Sequence, residues 1–278
     1  MSRATRRRRF IFAAAGTFAV LFCAALASAH DMFLRAERFF VAPNSDVVIR
    51  LLNGTFLESE NAIVRGRVRD ASVSGARARS PIDMDTWTEN GDTTTFRVRV
   101  GASGTYAVGI STRPSIIALS AADFNAYLKD DGVPDVLADR GKRKELEKPA
   151  KERYHKHVKA LLQVGDSLGR AYATVFGYPA EIIPIENPYS LRSGTTLRIR
   201  ALVNGKPVAN QYILYGGRSA SGASIAERST RSAADGTARI PLSATGEWYI
   251  KFINMTRAAA TDSVDYESKW ATLTFAIK

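Results

Sequence analysis

"YHKHVKALLQVGD", residues 154–166, can be read as a helix or as a strand, and the choice decides the fold. A helix would set His155 and His157 about 200° apart, on nearly opposite faces. A strand puts Val158, Ala160, Leu162 and Val164 on one face and His155, His157, Lys159 and Gln163 on the other, with Leu161 the sole exception. The strand reading orders more of the residues. It also sets the two imidazoles side by side, about 7 Å apart along the pleat.

Strand patterns surround this stretch. "DVVIRLLNGT" (46–55) and "TTTFRVRVGASGTYAVGI" (93–110) are β in character, and the second reads as a hairpin. In it Phe96, Val98 and Val100 share one face and Arg97 and Arg99 the other, as in a sheet with one buried side. From Ser120 the character changes. "SAADFNAYLKDDGV" (120–133) begins with a Ser cap, places Phe124, Tyr127 and Leu128 at helical spacing and stops at Gly132 and Pro134. A second, charged helix is expected across residues 134–154, its mixed-sign run from Lys142 to Arg153 forming a solvated face.

Toward the C-terminus, "TTLRIRALVNGKPVANQYILYGG" (195–217) carries an Asn204-Gly205 turn between strands, followed by "DGTARIPLSATGEWYIKFINM" (235–255) and "SKWATLTFAIK" (268–278). The expected fold is therefore mainly β: two immunoglobulin-like or transthyretin-like β-sandwich domains with a short helical insertion between them. The expected boundaries are an N-terminal β domain over 30–118, the helical insertion over 119–153, a strand and connector returning to the first domain over 154–180, and the C-terminal sandwich over 181–278.

The chain opens with five arginines among its first nine residues and continues through an apolar run that ends on Ala27-Ser28-Ala29. Residues 1–29 read as a secretory signal peptide with an A-x-A cleavage site. Arg7-Arg8-Arg9-Phe10-Ile11 also resembles part of a twin-arginine signal, with the general secretory route favoured. Phe22 before Cys23 is too bulky for lipoprotein processing. Cleavage after Ala29 removes the only cysteine and leaves 34 basic against 27 acidic residues, a net charge of +7. The mature chain then has no disulfide, no thiolate ligand and no stable transmembrane segment, and a periplasmic location is expected. Nothing interleaves aromatic with basic residues in the manner of a nucleic-acid platform, so nucleic acid is set aside as a partner.

Cleavage would also make His30 the first residue, offering an α-amino group and an imidazole from one position. Such a pair suits Cu(II) or Ni(II), with Asp31 adjacent as a carboxylate ligand and His155 and His157 completing a nitrogen-rich site. The candidate metal ligands are thus His30, Asp31, His155 and His157. The ordinary role of a His-x-His pair beside lysines is a polar sheet face, and Lys156 and Lys159 would repel a cation. Two acidic groups, Asp83, Asp85 and Glu89 and then Asp262, Asp265 and Glu267, lack calcium-loop spacing and read as solvated loops. No nucleophile elbow, zinc-protease motif or phosphate loop occurs, so no catalytic residue is expected and the chain is read as non-enzymatic. Trp87, Trp248 and Trp270 are expected in the core.

Several segments in a specific order carry a family resemblance: "AHDMFLRAERFFVAPNSDVVIRLLNG" after the signal, "RYHKHVKALLQVGD", "IIPIENPYSLRSGTTLRIRALVNGKPVANQYILYGG", "DGTARIPLSATGEWYIKFINM" and "DYESKWATLTFAIK". Together they cover nearly all of the mature chain. The chain resembles the domain of unknown function 4198 family, exported bacterial proteins associated with nickel uptake. The resemblance implies transthyretin-like β domains, a nickel or cobalt cargo and an inner-membrane metal transporter as partner. It implies no catalytic activity. The chain departs from the family pattern at Asn254-Met255, where members often carry His before Met, and at His155 and His157, where members often lack one histidine. Two functions are therefore expected: an accessory that binds or delivers nickel, cobalt or copper, or a structural β-sandwich module that binds an envelope protein or glycan.

Overall fold

The computed structural model describes residues 30–75 and 78–278. The expected signal peptide, its twin-arginine resemblance and Cys23 lie outside the described residues. The chain first forms β1 (Asp31–Ala36), β2 (Phe40–Val41), β3 (Asp46–Gly54), β4 (Val68–Ser74), β5 (Ser80–Pro81), β6 (Thr88–Asn90), β7 (Thr93–Arg99), β8 (Gly104–Thr112) and β9 (Ser115–Leu119). Helices α1 (Ala121–Asp130) and α2 (Pro134–Lys142) follow, and then the long strand β10 (Ala150–Val164). The remainder comprises β11 (Ala180–Pro184), β12 (Thr196–Val203), β13 (Lys206–Pro207), β14 (Tyr212–Ser219), β15 (Ser224–Arg231), β16 (Thr237–Pro241), β17 (Gly246–Arg257) and β18 (Tyr266–Ile277). Among the described residues no helix is long and apolar enough to cross a membrane.

The architecture is mainly β and sandwich-like, with the two helices as a short insertion. One continuous sheet runs through it in the order β15-β14-β17-β18-β10-β8-β4-β5, with β2 and β9 also paired to β10. A second sheet, β1-β3-β7-β6, covers one face at the N-terminal end. A third, β11-β12-β13 with β16 beside β12, covers the other face at the C-terminal end. The expected boundaries near residues 118 and 181 thus lie on either side of a strand that both sandwiches share.

That strand explains the residue that broke the alternation. Val158, Ala160, Leu162 and Val164 enter the core under the β1 sheet, together with Ile49, Phe96 and Ile110. Leu161 points the other way, into the core under the β11 sheet, beside Ile182, Trp248 and Phe275. A strand buried on both faces carries apolar residues on both. β18 follows the same rule: Ala271, Leu273, Phe275 and Ile277 enter the second core, while the hydroxyls of Thr272 and Thr274 on the reverse face donate to the carbonyls of Met32 and Leu34.

Two local expectations are corrected. β7 and β8 do not form a hairpin; β7 pairs with β3 and β6, whereas β8 pairs with β4 and β10. Residues 100–103 carry the chain from one sheet across to the next, so Phe96 and Val98 meet Val108 and Ile110 from opposite sides of one core. The second helix ends at Lys142 instead of running to residue 154. Lys144 adopts φ 58° and Pro149 follows, both incompatible with a continuing helix, and β10 begins at Ala150.

Other local signals translate directly. The Ser120 hydroxyl accepts from the Asp123 N–H at the start of α1, and Phe124, Tyr127 and Leu128 are buried beneath it. Asn204 and Gly205 both take positive φ and close the β12–β13 turn. Trp248 and Trp270 are buried, and Trp87 stacks on Phe96 at 5.5 Å.

Candidate ligand cleft at the junction of the sandwiches

The cleft begins with the alternation of β1. Met32, Leu34 and Ala36 turn into the first core, so Asp31, Phe33 and Arg35 turn away from it, toward β17 of the other sandwich. There they meet a matching series. Lys251 Nζ donates to Asp31 Oδ2, the rings of Phe33 and Tyr249 meet edge-on at 5.3 Å, and Arg35 Nε donates to Glu247 Oε2 at 2.7 Å. These three rungs join the two sandwiches through side chains, since β1 and β17 belong to different sheets.

Above this ladder, between β1, β15, β17 and α1, opens a cleft of about 570 Å³. Phe33, Phe56 and Tyr249 pack against one another along it, with ring centroids 5.0–5.6 Å apart. Its walls carry Glu60, Asp123, Asp130, Asp131 and Glu227 in addition to Asp31. Lys251 is the one lysine in the lining, and it is engaged: it bonds Asp31 and lies 3.4 Å from Glu227, which also accepts from the Tyr249 hydroxyl at 2.9 Å. Asp31 Oδ1 is buried and has no hydrogen-bond partner. An acidic cleft in a basic protein attracts cations.

The crowding of charge has consequences for ionisation. Burial, reinforced by Asp31, pushes the Asp131 carboxyl up to about 8, with Lys251 and Lys156 pulling against it. Burial works against the Lys251 ammonium, but Asp31 and Glu227 outweigh it and leave its pKa above the ordinary lysine value. Behind the cleft, burial lowers the Lys156 amine to about 8 and raises the Glu152 carboxyl. Glu152 accepts from the Tyr127 and Ser268 hydroxyls, and its Oε2 has no partner. These perturbed groups gather beside the cavity, which makes it the candidate site.

His30 stands at the rim, between this cleft and an adjoining cavity of about 310 Å³ that Lys156, Tyr154 and Trp270 line. Its Nε2 faces Glu60 Oε2 at 3.4 Å. Its carbonyl accepts from Lys156 Nζ, which also donates to Asn53 Oδ1 at 3.2 Å. With Nε2 turned to the carboxylate, Nδ1 is the ring nitrogen not facing it. Nδ1 is also the ring nitrogen nearer the residue's own main-chain nitrogen.

The fold groups the four sequence-derived ligands in two pairs and separates the pairs. His30 and Asp31 share the cleft. His155 and His157 lie together, ring centroids 4.9 Å apart, but on the opposite face of β10. Because Lys156 reaches His30, its neighbours at 155 and 157 must point the other way. The expected convergence of His30 with His155 and His157 is therefore not what the fold builds. Among the described residues no three His, Cys, Asp or Glu side chains gather closely enough to hold an ion by themselves.

On that opposite face His157 Nδ1 meets Ser111 Oγ at 2.9 Å, while His157 Nε2 and His155 Nδ1 are buried without partners. Burial, with Lys269 and Arg69 nearby, brings His155 down to about 4; burial and the neighbouring His155 bring His157 to about 3. Both rings are neutral at ordinary pH. Lys159, next on this face, is closed off by Glu181 at 3.2 Å. The two acidic loops serve as structural partners: Asp262 and Glu267 hold Arg153, and Glu89 accepts from the Arg65 N–H.

Sequence reasoning missed Glu60, Asp131, Glu227, Tyr249 and Lys251. In "GEWYIKF" the series Glu247, Tyr249, Lys251 alternates with buried Trp248, Ile250 and Phe252 and reads as a solvent-facing side. Nothing local says that β1 covers it.

Fold and cleft together define a mainly β, sandwich-like class of protein with an acidic cleft at the junction of its sheets. The chain belongs to the family described as Domain of unknown function (DUF4198), which matches residues 27–256. No curated protein sequence matches it. Among solved structures, it is similar to the adhesin FdeC of Escherichia coli at 15% identity, TM-score 0.23, covering 90% of this chain and 63% of that one. It is also similar to a DUF4785 family protein of Legionella pneumophila at 7% identity, TM-score 0.22, covering 79% and 50%. The chain thus spans less than two thirds of the length of either structure.

Proposed function

We propose that the chain is an exported, non-catalytic periplasmic protein that binds a divalent transition metal at its processed N-terminus and hands it to an inner-membrane metal transporter. Nickel or cobalt is the expected cargo, with copper accepted by the same ligand chemistry. The observation that supports this reading is His30 at the mouth of an acidic cleft, its Nε2 3.4 Å from Glu60. Cleavage after Ala29 would free an α-amino nitrogen on the same residue, within chelating reach of its Nδ1. Metal-bound histidines commonly give their other ring N–H to a carboxylate, and Glu60 stands in that place. Asp31 belongs to the same site as a wall of the cleft. His155 and His157 take no part in it.

Calorimetry on protein beginning at His30, titrated with Ni(II), Co(II) and Cu(II), tests this. Micromolar binding that disappears when one glycine is added ahead of His30 is the expected result. Equal binding by both forms, or none by either, would sink it.

A further inference from the structure

The metal reading uses only the mouth of the cleft. Resting on that reading, we propose that the cleft receives the metal as a cationic amine chelate, the cargo being a complex of the ion with a small organic polyamine and not the bare ion.

The ligand count points this way first. His30 offers two nitrogens, Glu60 is turned to the ring's other nitrogen, and no further set of three donor side chains gathers among the described residues. Nickel, cobalt and copper fill four to six positions, so those that His30 leaves are open to water or to the donors of a bound chelator. Size points the same way. The cleft holds about 570 Å³, against the roughly 30 Å³ share of one water molecule. It has room for a molecule of several heavy atoms beside the ion.

Charge then selects the chelator. Metal-bound amines are strong N–H donors, and the walls supply acceptors: Asp130, Asp123 and Glu227, with Asp31 Oδ1 buried and unpartnered. The one wall lysine, Lys251, is already held by Asp31 and Glu227. A chelator built from carboxylates would give an anionic complex facing a row of carboxylates, which like-charge repulsion rejects. Phe56 and Tyr249 offer apolar surface for the methylenes between the nitrogens of a polyamine.

The probe is the one-to-one complex of Ni(II) with diethylenetriamine, which leaves positions open for His30 and carries two positive charges. It is titrated calorimetrically into protein beginning at His30, beside Ni(II) alone, Ni(II)–citrate and diethylenetriamine alone. The amine complex should bind at least about tenfold more tightly than Ni(II) alone, and the citrate complex should not bind. Asp130→Asn, at the exposed end of α1, should weaken binding of the amine complex by a larger factor than binding of Ni(II) alone. Circular dichroism confirms that this variant is folded.

If Ni(II) alone binds as tightly as the amine complex, the chelate inference falls and the metal site stands. Diethylenetriamine binding as tightly without nickel also overturns it, because the cleft is then an amine site. Binding by none of the four removes both.

Discussion

Lys156 and Lys159 stand three residues apart on β10, both buried, on opposite faces of one sheet. Lys159 is answered in full: Glu181 lies 3.2 Å away, and Glu181 itself accepts from the N–H groups of Phe176, Gly177 and Tyr178. Lys156 has only neutral acceptors, the His30 carbonyl and the Asn53 amide, with the Trp270 ring 4.8 Å from its nitrogen. The first lysine closes a wall. The second borders a cavity and supports the residue at the cleft's rim. One side of β10 is shut, and the other borders an open cavity.

Lys159→Met breaks this comparison most severely. It strands Glu181 as an unpaired buried charge and should cost about 3–5 kcal/mol in urea unfolding. A loss under about 1 kcal/mol would mean that the closed face is not a structural one.

Acid comes next, through the imidazoles on the same closed face. His155 and His157 are held at about 4 and about 3, whereas an unfolded histidine takes its proton near about 6.5. Below that pH the unfolded chain binds protons the folded one refuses. Stability is then full above about pH 6.5 and falls as pH drops toward 4, by on the order of 2 kcal/mol at pH 5 after allowing for the partial exposure of His155. The charged groups facing the pair are Arg69, Lys269 and, near His155, Glu267. In His155→Gln/His157→Gln protein the unfolding midpoint should vary less between pH 7 and 5, and an unchanged slope would assign the loss to other groups.

Lys156→Met sharpens the contrast from the other side. It leaves two neutral acceptors unpaired and no stranded carboxylate at hydrogen-bond distance, so about 1–2 kcal/mol is expected in the same urea measurement, less than half the Lys159 effect. Equal losses would erase the distinction between the faces. Smallest in stability is Glu60→Gln, a half-exposed group whose change should stay within about 0.5 kcal/mol by thermal melt. Its nickel affinity should nevertheless fall about tenfold or more by calorimetry.

The same strand shows what the sequence made readable. The two faces of residues 154–164 follow from alternation, and Leu161 carried the trace of a second core, because a one-sided strand has no use for an apolar residue on its polar face. Helix α1 and the Asn204-Gly205 turn were readable because cap and turn chemistry is local. The partner of β7 was not, since alternation identifies a strand's buried face and says nothing about which sheet it joins. The cleft was hidden for a related reason: Lys251 and Asp31 are ordinary surface residues until the fold brings them together.

The ladder of Asp31, Phe33 and Arg35 on Lys251, Tyr249 and Glu247 joins residues 212 and 220 positions apart at its two charged rungs. β1 is the first strand of the described chain and β17 the last but one. Contacts of such sequence separation form late and slow the search for the native state. β1 can pair with β3 as soon as that strand emerges, but its ladder to β17 cannot close until nearly the whole described chain is present, so this side of the cleft is completed only with the C-terminal strands.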